Sequence, residues 1–266
     1  YYSDYTERPI DQLGRCLIEG FAYQGESSAY RKGEPRGEST AGVPASAFVS
    51  FLQNHDQIGN RAFGERIVRL ADQRAVRAAM AILLLAPSPP LLFMGEEFGA
   101  ETPFLFFCDF EKDLAAAVTS GRRNEFARFA EFRDPTEREQ IPDPNAVATF
   151  AASRLDWKEL DQSSHREWLR FYQKLLKLRR EHIMPRLSAG CVVDSAYEIN
   201  GHHGLAAHWK FPDNSKLSLM ANLGSDSLSG LTRPSSQIIY ASDELDADAL
   251  KHGTLQPWSV AWFLES

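Results

Sequence analysis

The chain has 266 residues, 43% of them hydrophobic and 24% charged, which at roughly 150 residues per domain means one or two globular domains and excludes both a minimal module and a disordered chain. With 29 Lys and Arg against 36 Asp and Glu the net charge is -7, which repels phosphate backbones and anionic lipid, so neither nucleic acid nor a membrane is an expected partner. Cys16, Cys108 and Cys191 are odd in number and fit no zinc or redox spacing, and the longest apolar run, Ala78 to Ala86, is far short of a membrane span, so a reducing cytoplasm is the expected setting.

Ile10, Leu13, Leu17 and Phe21 recur at helical spacing behind Thr6 and Glu7, which predicts a short helix capped at Thr6 and ended by Gly20 and Phe21. From Gln24 to Pro44 the chain is rich in Gly, Ser, Glu and Arg, the texture of a long surface loop. The run Ala47-Phe48-Val49-Ser50-Phe51-Leu52 is almost continuously apolar, as expected of a parallel strand covered on both faces, and it opens into Gln53-Asn54-His55-Asp56. A helix is predicted from Asp72, its acidic N-cap, to Leu85, with a stop at Pro87. Pro90-Leu91-Leu92-Phe93-Met94 is a second short apolar run, ending in Gly95-Glu96-Glu97-Phe98-Gly99.

Strand, polar end, helix, strand, polar end is a pair of βα units, and right-handed crossovers bring both polar ends to one edge of the sheet, where ligands bind. A later helix is signalled by a capping box at Ser164 and Glu167, by the apolar face Trp168, Phe171, Tyr172, Leu175 and Leu176, and by Pro185 beyond its end. After Pro185 the texture changes to alternating runs, 204–211, 216–222 and 259–264, which predict a small antiparallel β domain over 186–266 behind an α/β region over 1–185.

A carboxylate where a strand opens into a loop is only partly solvated, and it stabilises a developing positive charge, while a neighbouring imidazole donates to a ligand hydroxyl. Sugar chemistry with an oxocarbenium-like transition state uses both. The alternative is that His55 and Asp56 only cap the following turn.

The longer string Phe51-Leu52-Gln53-Asn54-His55-Asp56-Gln57-Ile58-Gly59-Asn60-Arg61 resembles the strand-seven region of the alpha-amylase clan of glycoside hydrolases, and its Gln-Ile-Gly-Asn-Arg extension is similar to that of the malto-oligosyltrehalose trehalohydrolases within it. The likeness runs on through 90–97 as strand eight, 103–110, Gly121-Arg122-Arg123-Asn124-Glu125-Phe126, 141–145 and 153–157, and weakens only in the β domain. The Val-Val-His-Gly-Lys type of segment usual in glycogen branching enzymes does not follow this His-Asp.

The resemblance implies strands seven and eight of a (β/α)8 TIM barrel with their helices, followed by a small antiparallel β-sandwich domain. It makes Asp56 the transition-state stabiliser and His55 a binder of sugar hydroxyls. Gln57 and Arg61 are candidate contacts on the trehalose side or elements of loop structure, and Glu97 either binds hydroxyls or braces Arg61. The implied substrate is maltooligosyl trehalose or a related α-1,4-glucan, with no cofactor and no metal.

Nucleophile and acid/base belong to strands four and five of the clan, which this chain is not expected to contain. A closed barrel has eight strands over about 250 residues, and 1–5 resembles the segment just after strand six. The chain therefore reads as a C-terminal part, inactive alone, whose partner is the N-terminal part of the same enzyme. The rival readings are another clan hydrolase or branching enzyme, and a non-catalytic carbohydrate-binding fragment.

Three smaller features complete the reading. His202, His203 and His208 lie around an Asn-Gly turn signal, which favours a hairpin over a metal site. Trp258 and Trp262 read as core within a terminal strand. Phe104, Phe106 and Phe107 either flank a cleft or pack a loop.

Overall fold

The computed structural model describes residues 2–266, so Tyr1, which opens the segment likened to the one just after strand six, lies outside the described residues. Its helices are α1 (Pro9–Glu19), α2 (His55–Gly59), α3 (Ile67–Leu70), α4 (Gln73–Leu85), α5 (Lys112–Glu125), α6 (Pro135–Glu139), α7 (Val147–Ala152), α8 (Ser163–Leu178), α9 (Met184–Ala189) and α10 (Ala247–Lys251). The strands are β1 (Asp194–Asn200), β2 (Gly204–Lys210), β3 (Lys216–Asn222), β4 (Gln237–Ala241) and β5 (Ser259–Glu265). Two compact units divide the chain: one takes the residues up to Leu52, Gln73–Leu91 and Gln173–Ser266, the other Gln53–Asp72 and Leu92–Tyr172.

The first unit is built on the β domain. Its five strands form one antiparallel sheet in the order β1-β2-β3-β5-β4. The expected sandwich is therefore corrected to a single sheet among the described residues. Its two faces are covered by helices on one side and by the chain between β3 and β5 on the other.

Cross-strand register puts Tyr197, Ala207, Leu219, Trp262 and Tyr240 in one row. On that face Trp262 is fully buried and stacks on Trp209 at 5.6 Å, which makes Trp262 core, while Trp258 lies just before the strand with φ 55. Helix α1 packs on β1 and β2, and α4 on β5. Gly14 of α1 allows the approach, since a Cβ there would lie 2.3 Å from the Tyr197 ring, and the Tyr197 hydroxyl donates to Asp11 Oδ1 at 2.8 Å. The opposite face, with Met220, Ala261 and Phe263, is covered by Leu231, Leu250 and Leu255.

Helix α1 ends at Gly20, whose φ of 90 suits a residue without a Cβ, but its N-cap is Arg8, not Thr6, because Pro9 takes the first helical turn. The 24–44 loop is held by Asp4, whose carboxylate accepts from Ser28 Oγ at 2.5 Å, the Tyr30 N–H at 2.8 Å and Arg36 Nη1 at 3.0 Å. These bonds, the Ser28 hydroxyl first, hold the Asp4 pKa below its ordinary value.

The two apolar runs expected as strands pair in parallel at a single bridge, Ser50 with Pro90. Ser50 N–H donates to Pro89 O at 2.9 Å and Leu91 N–H to Ser50 O at 2.8 Å. Pro89 and Pro90 have no N–H to extend the ladder, residues 45–47 form a 3-10 turn, and Val49, Phe51 and Leu91 are exposed. The 47–52 run, expected to be covered on both faces, is thus open at Val49 and Phe51 within this chain.

Helix α4 matches its predicted span, with Met80, Ala81, Leu84 and Leu85 buried. Helix α8 begins at Ser163, and Arg166 N–H reaches Gln162 O at 3.2 Å, so Ser164 lies inside the helix and does not cap it. Nor does Pro185 end the helical stretch. A π turn over Arg179–Ile183 leads into α9, where Pro185 occupies the first turn, a position that needs no N–H.

The second unit gathers the loops around α2, the 3-10 turn Glu96–Phe98 and α5 to α7. Its apolar cluster joins Ala62, Phe126, Phe132 and Ile141.

Candidate active-site turn

The string Asn54-His55-Asp56-Gln57 folds as a helix start. Asn54 is extended, its side chain accepts the Asp56 N–H at 2.8 Å, and Gln57 Oε1 accepts the Asn54 N–H at 2.9 Å. This reciprocal capping box satisfies donors that a helix start leaves open. It turns Asn54 and Gln57 toward the backbone and leaves His55 and Asp56 exposed in this chain, so the cap residue is Asn54. Asp56 Oδ1 accepts from Asn60 Nδ2 at 3.0 Å. An imidazole and a carboxylate side by side on one turn can bind hydroxyls and face a cationic ring.

Arg61 is exposed and pairs with Glu65 at 3.2 Å. Glu97, half-buried, sits in the 3-10 turn between Gly95 and Gly99, both in the left-handed region. Its neighbour Glu96 is only 3% exposed. Glu96 Oε2 accepts the Phe93 N–H at 2.9 Å. Burial pushes its pKa up to about 7, against the opposing Phe93 N–H, the Gln53 side chain and the Arg66 charge.

Gln53, also buried, ties this turn to the one carrying His55 and Asp56: it lies against Glu96, and its Oε1 accepts the Ile67 N–H at 3.0 Å. Arg66 donates to Thr102 O at 2.6 Å and Met94 O at 2.8 Å, with its guanidinium over the Phe93 ring. The two polar ends anticipated at one edge are therefore brought together within this unit, through Gln53.

Sequence reasoning missed the buried arginines. Arg122 of α5 is 7% exposed and donates to the carbonyls of Gly59 at 2.6 Å, Arg61 at 2.7 Å and Asn60 at 3.5 Å, between the rings of Phe106 and Phe126. A charged residue on an otherwise polar helix carries no local sign of this burial.

Phe93, Phe104, Phe107 and Phe150 form an edge-to-face chain with centroids 5.0, 5.6 and 5.3 Å apart, in which Phe107 is exposed, as is the neighbouring Phe106. Cys108 Sγ is hydrogen-bonded to Asn145 Oδ1 at 3.3 Å, and burial pushes the thiol pKa up. His202 and His203 lie on the exposed β1–β2 turn. Among the described residues, no group of three or more His, Cys, Asp or Glu is placed to hold a metal ion, and no helix is long and apolar enough to cross a membrane.

Comparison with known proteins adds three relatives and one domain. Residues 194–262 match the family described as "Domain of unknown function (DUF3459)", which is the sheet region. The chain is 42% identical over 188 residues to the malto-oligosyltrehalose trehalohydrolase of Deinococcus radiodurans, covering 68% of this chain and 30% of that protein. It is 36% identical over 268 residues to the enzyme of the same name from Brevibacterium helvolum, covering 98% of this chain and 42% of that one. A crystal structure assigned as an alpha amylase of Salmonella typhimurium superposes with a TM-score of 0.89 at 42% identity, over 100% of this chain and 43% of that chain. The chain thus spans less than half the length of these relatives. It belongs to the malto-oligosyltrehalose trehalohydrolase family of alpha-amylase-type glycoside hydrolases, of which it corresponds to a C-terminal part.

Proposed function

We propose that residues 1–185 supply strands seven and eight of a (β/α)8 barrel and residues 186–266 the C-terminal β domain of a retaining glycoside hydrolase. That enzyme cleaves the α-1,4-glucosidic bond next to the trehalose end of maltooligosyl trehalose and releases trehalose. The observation that carries the reading is the capped turn, which presents His55 and Asp56 outward while Gln53 ties it to the Glu96–Glu97 turn. The parallel Ser50–Pro90 bridge is what adjacent barrel strands would make, and the names of the relatives supply the substrate.

In this reading Asp56 stabilises the oxocarbenium-like transition state more than the neutral sugar, which is where a fixed carboxylate lowers a barrier. His55 donates to hydroxyls of the same sugar. Arg61 contacts the trehalose side and Glu97 binds sugar hydroxyls, while Gln57, whose Oε1 accepts the Asn54 N–H, takes the loop-structure role. Nucleophile and acid/base come from strands outside this chain, so the chain alone does not turn over. A cytoplasmic enzyme of trehalose formation is the setting that follows, and free Cys16, Cys108 and Cys191 suit it.

Product analysis tests the proposal. The complete enzyme given maltooligosyl trehalose should yield free trehalose and a shortened maltooligosaccharide. Maltose or new α-1,6 branches as the main products would reject it, as would turnover by this chain alone.

A further inference from the structure

Asp56 is exposed, and one side chain among the described residues donates to its carboxylate: Asn60, through Nδ2 to Oδ1 at 3.0 Å. Asn60 is also the C-terminal cap of α2, its N–H bonded to Asp56 O at 3.0 Å. The three carbonyls of residues 59–61 all face one guanidinium, that of Arg122.

Arg122 belongs to a different helix, α5, more than fifty positions along the chain. Its charge is met by these carbonyls and by two aromatic faces, at 5.1 and 4.8 Å, with Glu125 more distant at 3.9 Å from Nη1 and itself half exposed. The planar fork of Arg can reach adjacent carbonyls at once, which the point charge of Lys cannot.

We propose that Arg122 and Asn60 are positioning residues for Asp56: Arg122 clamps the backbone of 59–61, and Asn60, held by that clamp, fixes the Asp56 carboxylate by Oδ1 and leaves Oδ2 for the sugar. The inference rests on the role given to Asp56 above and adds the means by which its orientation is set. A carboxylate that acts on a developing charge works only if held before the charge appears. On an exposed one-turn helix the cap at Asn54 fixes the start of the turn. The Arg122 clamp fixes its end.

The test is a set of variants in the complete enzyme, with kcat, KM and melting temperature read for each. Arg122→Lys should lower kcat by about 10- to 100-fold, the loss expected when a reacting group is displaced by an ångström, with KM within about twofold. Asn60→Ala touches no buried group and should lower kcat in the same way with the melting temperature unchanged. In an Asp56→Asn background, Arg122→Lys should cost no further kcat, because the residue it positions is already disabled.

If Arg122→Lys and Asn60→Ala keep full kcat per folded molecule while Asp56→Asn loses it, the clamp is only structural and the inference falls with the role of Asp56 intact. Full kcat in Asp56→Asn itself would overturn the role of Asp56 and the inference together. Should Arg122→Lys fail to fold, Asn60→Ala decides the matter by itself.

Discussion

Arg179 offers a sharp test of how the helical part of the first unit is held. It is 6% exposed and, from the π turn after α8, donates to four carbonyls at the end of α4: Leu84 at 3.1 Å, Ala86 at 2.5 Å, Pro87 at 3.2 Å and Ser88 at 3.0 Å. Burial pushes its pKa down to about 10, and no carboxylate opposes that shift. The charge is therefore held by backbone dipoles, at the helix end where carbonyls lack partners.

Arg179→Met keeps the aliphatic stem and removes the donors. Each buried carbonyl left without a partner costs about 1–3 kcal/mol, and several kcal/mol of relief from no longer burying a charge offsets part of this. The net loss is then about 3 kcal/mol. At this chain length that corresponds to a fall in melting temperature of about 6–12 °C. Arg179→Lys, with charge but no fork, should fall between. Thermal and urea unfolding of the three proteins measures this, and a Met variant melting within about 1 °C of the parent would refute the claim that the guanidinium holds this junction.

Two other predictions concern the site region. Because the folded-state pKa of Glu96 is raised to about 7 from an ordinary 4.5, the native state binds the proton more tightly than the unfolded chain, so stability is full below about pH 4.5 and is lost as pH rises toward 7, by up to about 3 kcal/mol. Glu96→Gln should remove that slope and gain stability above neutrality; an unchanged pH profile of unfolding would show that Glu96 is not the group responsible. Gly64 has φ 62, and a Cβ there would lie 2.5 Å from the Phe104 carbonyl oxygen, so Gly64→Ala should cost at least about 2 kcal/mol, whereas a neutral effect in urea unfolding would contradict the close approach.

What could be read in the sequence was whatever is decided locally. The Ala- and Leu-rich run behind Asp72 with its Pro87 stop marks α4, Gly20 marks the end of α1, and alternating apolar positions mark β2, β3 and β5. Polar strands such as β1, Asp-Ser-Ala-Tyr-Glu-Ile-Asn, carry little of that pattern because an edge strand buries less of each face.

Pro185 does lie beyond the end of α8, but it also begins α9, because the same residue that stops a helix can start one. The 47–52 and 90–94 runs have strand composition, but a ladder depends on what lies on either side of it, and two prolines shorten the one here. At the site, Asn-His-Asp was legible as the polar end of an apolar run. The parts that hold it, Gln53, Arg66, Glu96 and Arg122, were not, since burial of a charged or amide side chain depends on partners distant in the chain.

The central claim is that Asp56 acts on the transition state. Asp56→Asn in the complete enzyme, assayed for trehalose release with kcat and KM determined separately, tests it most directly. The account predicts a loss in kcat of at least about 10²- to 10³-fold with KM nearly unchanged, because the missing charge matters only when positive charge develops on the sugar. A variant that keeps kcat, or one whose loss lies wholly in KM, would contradict it.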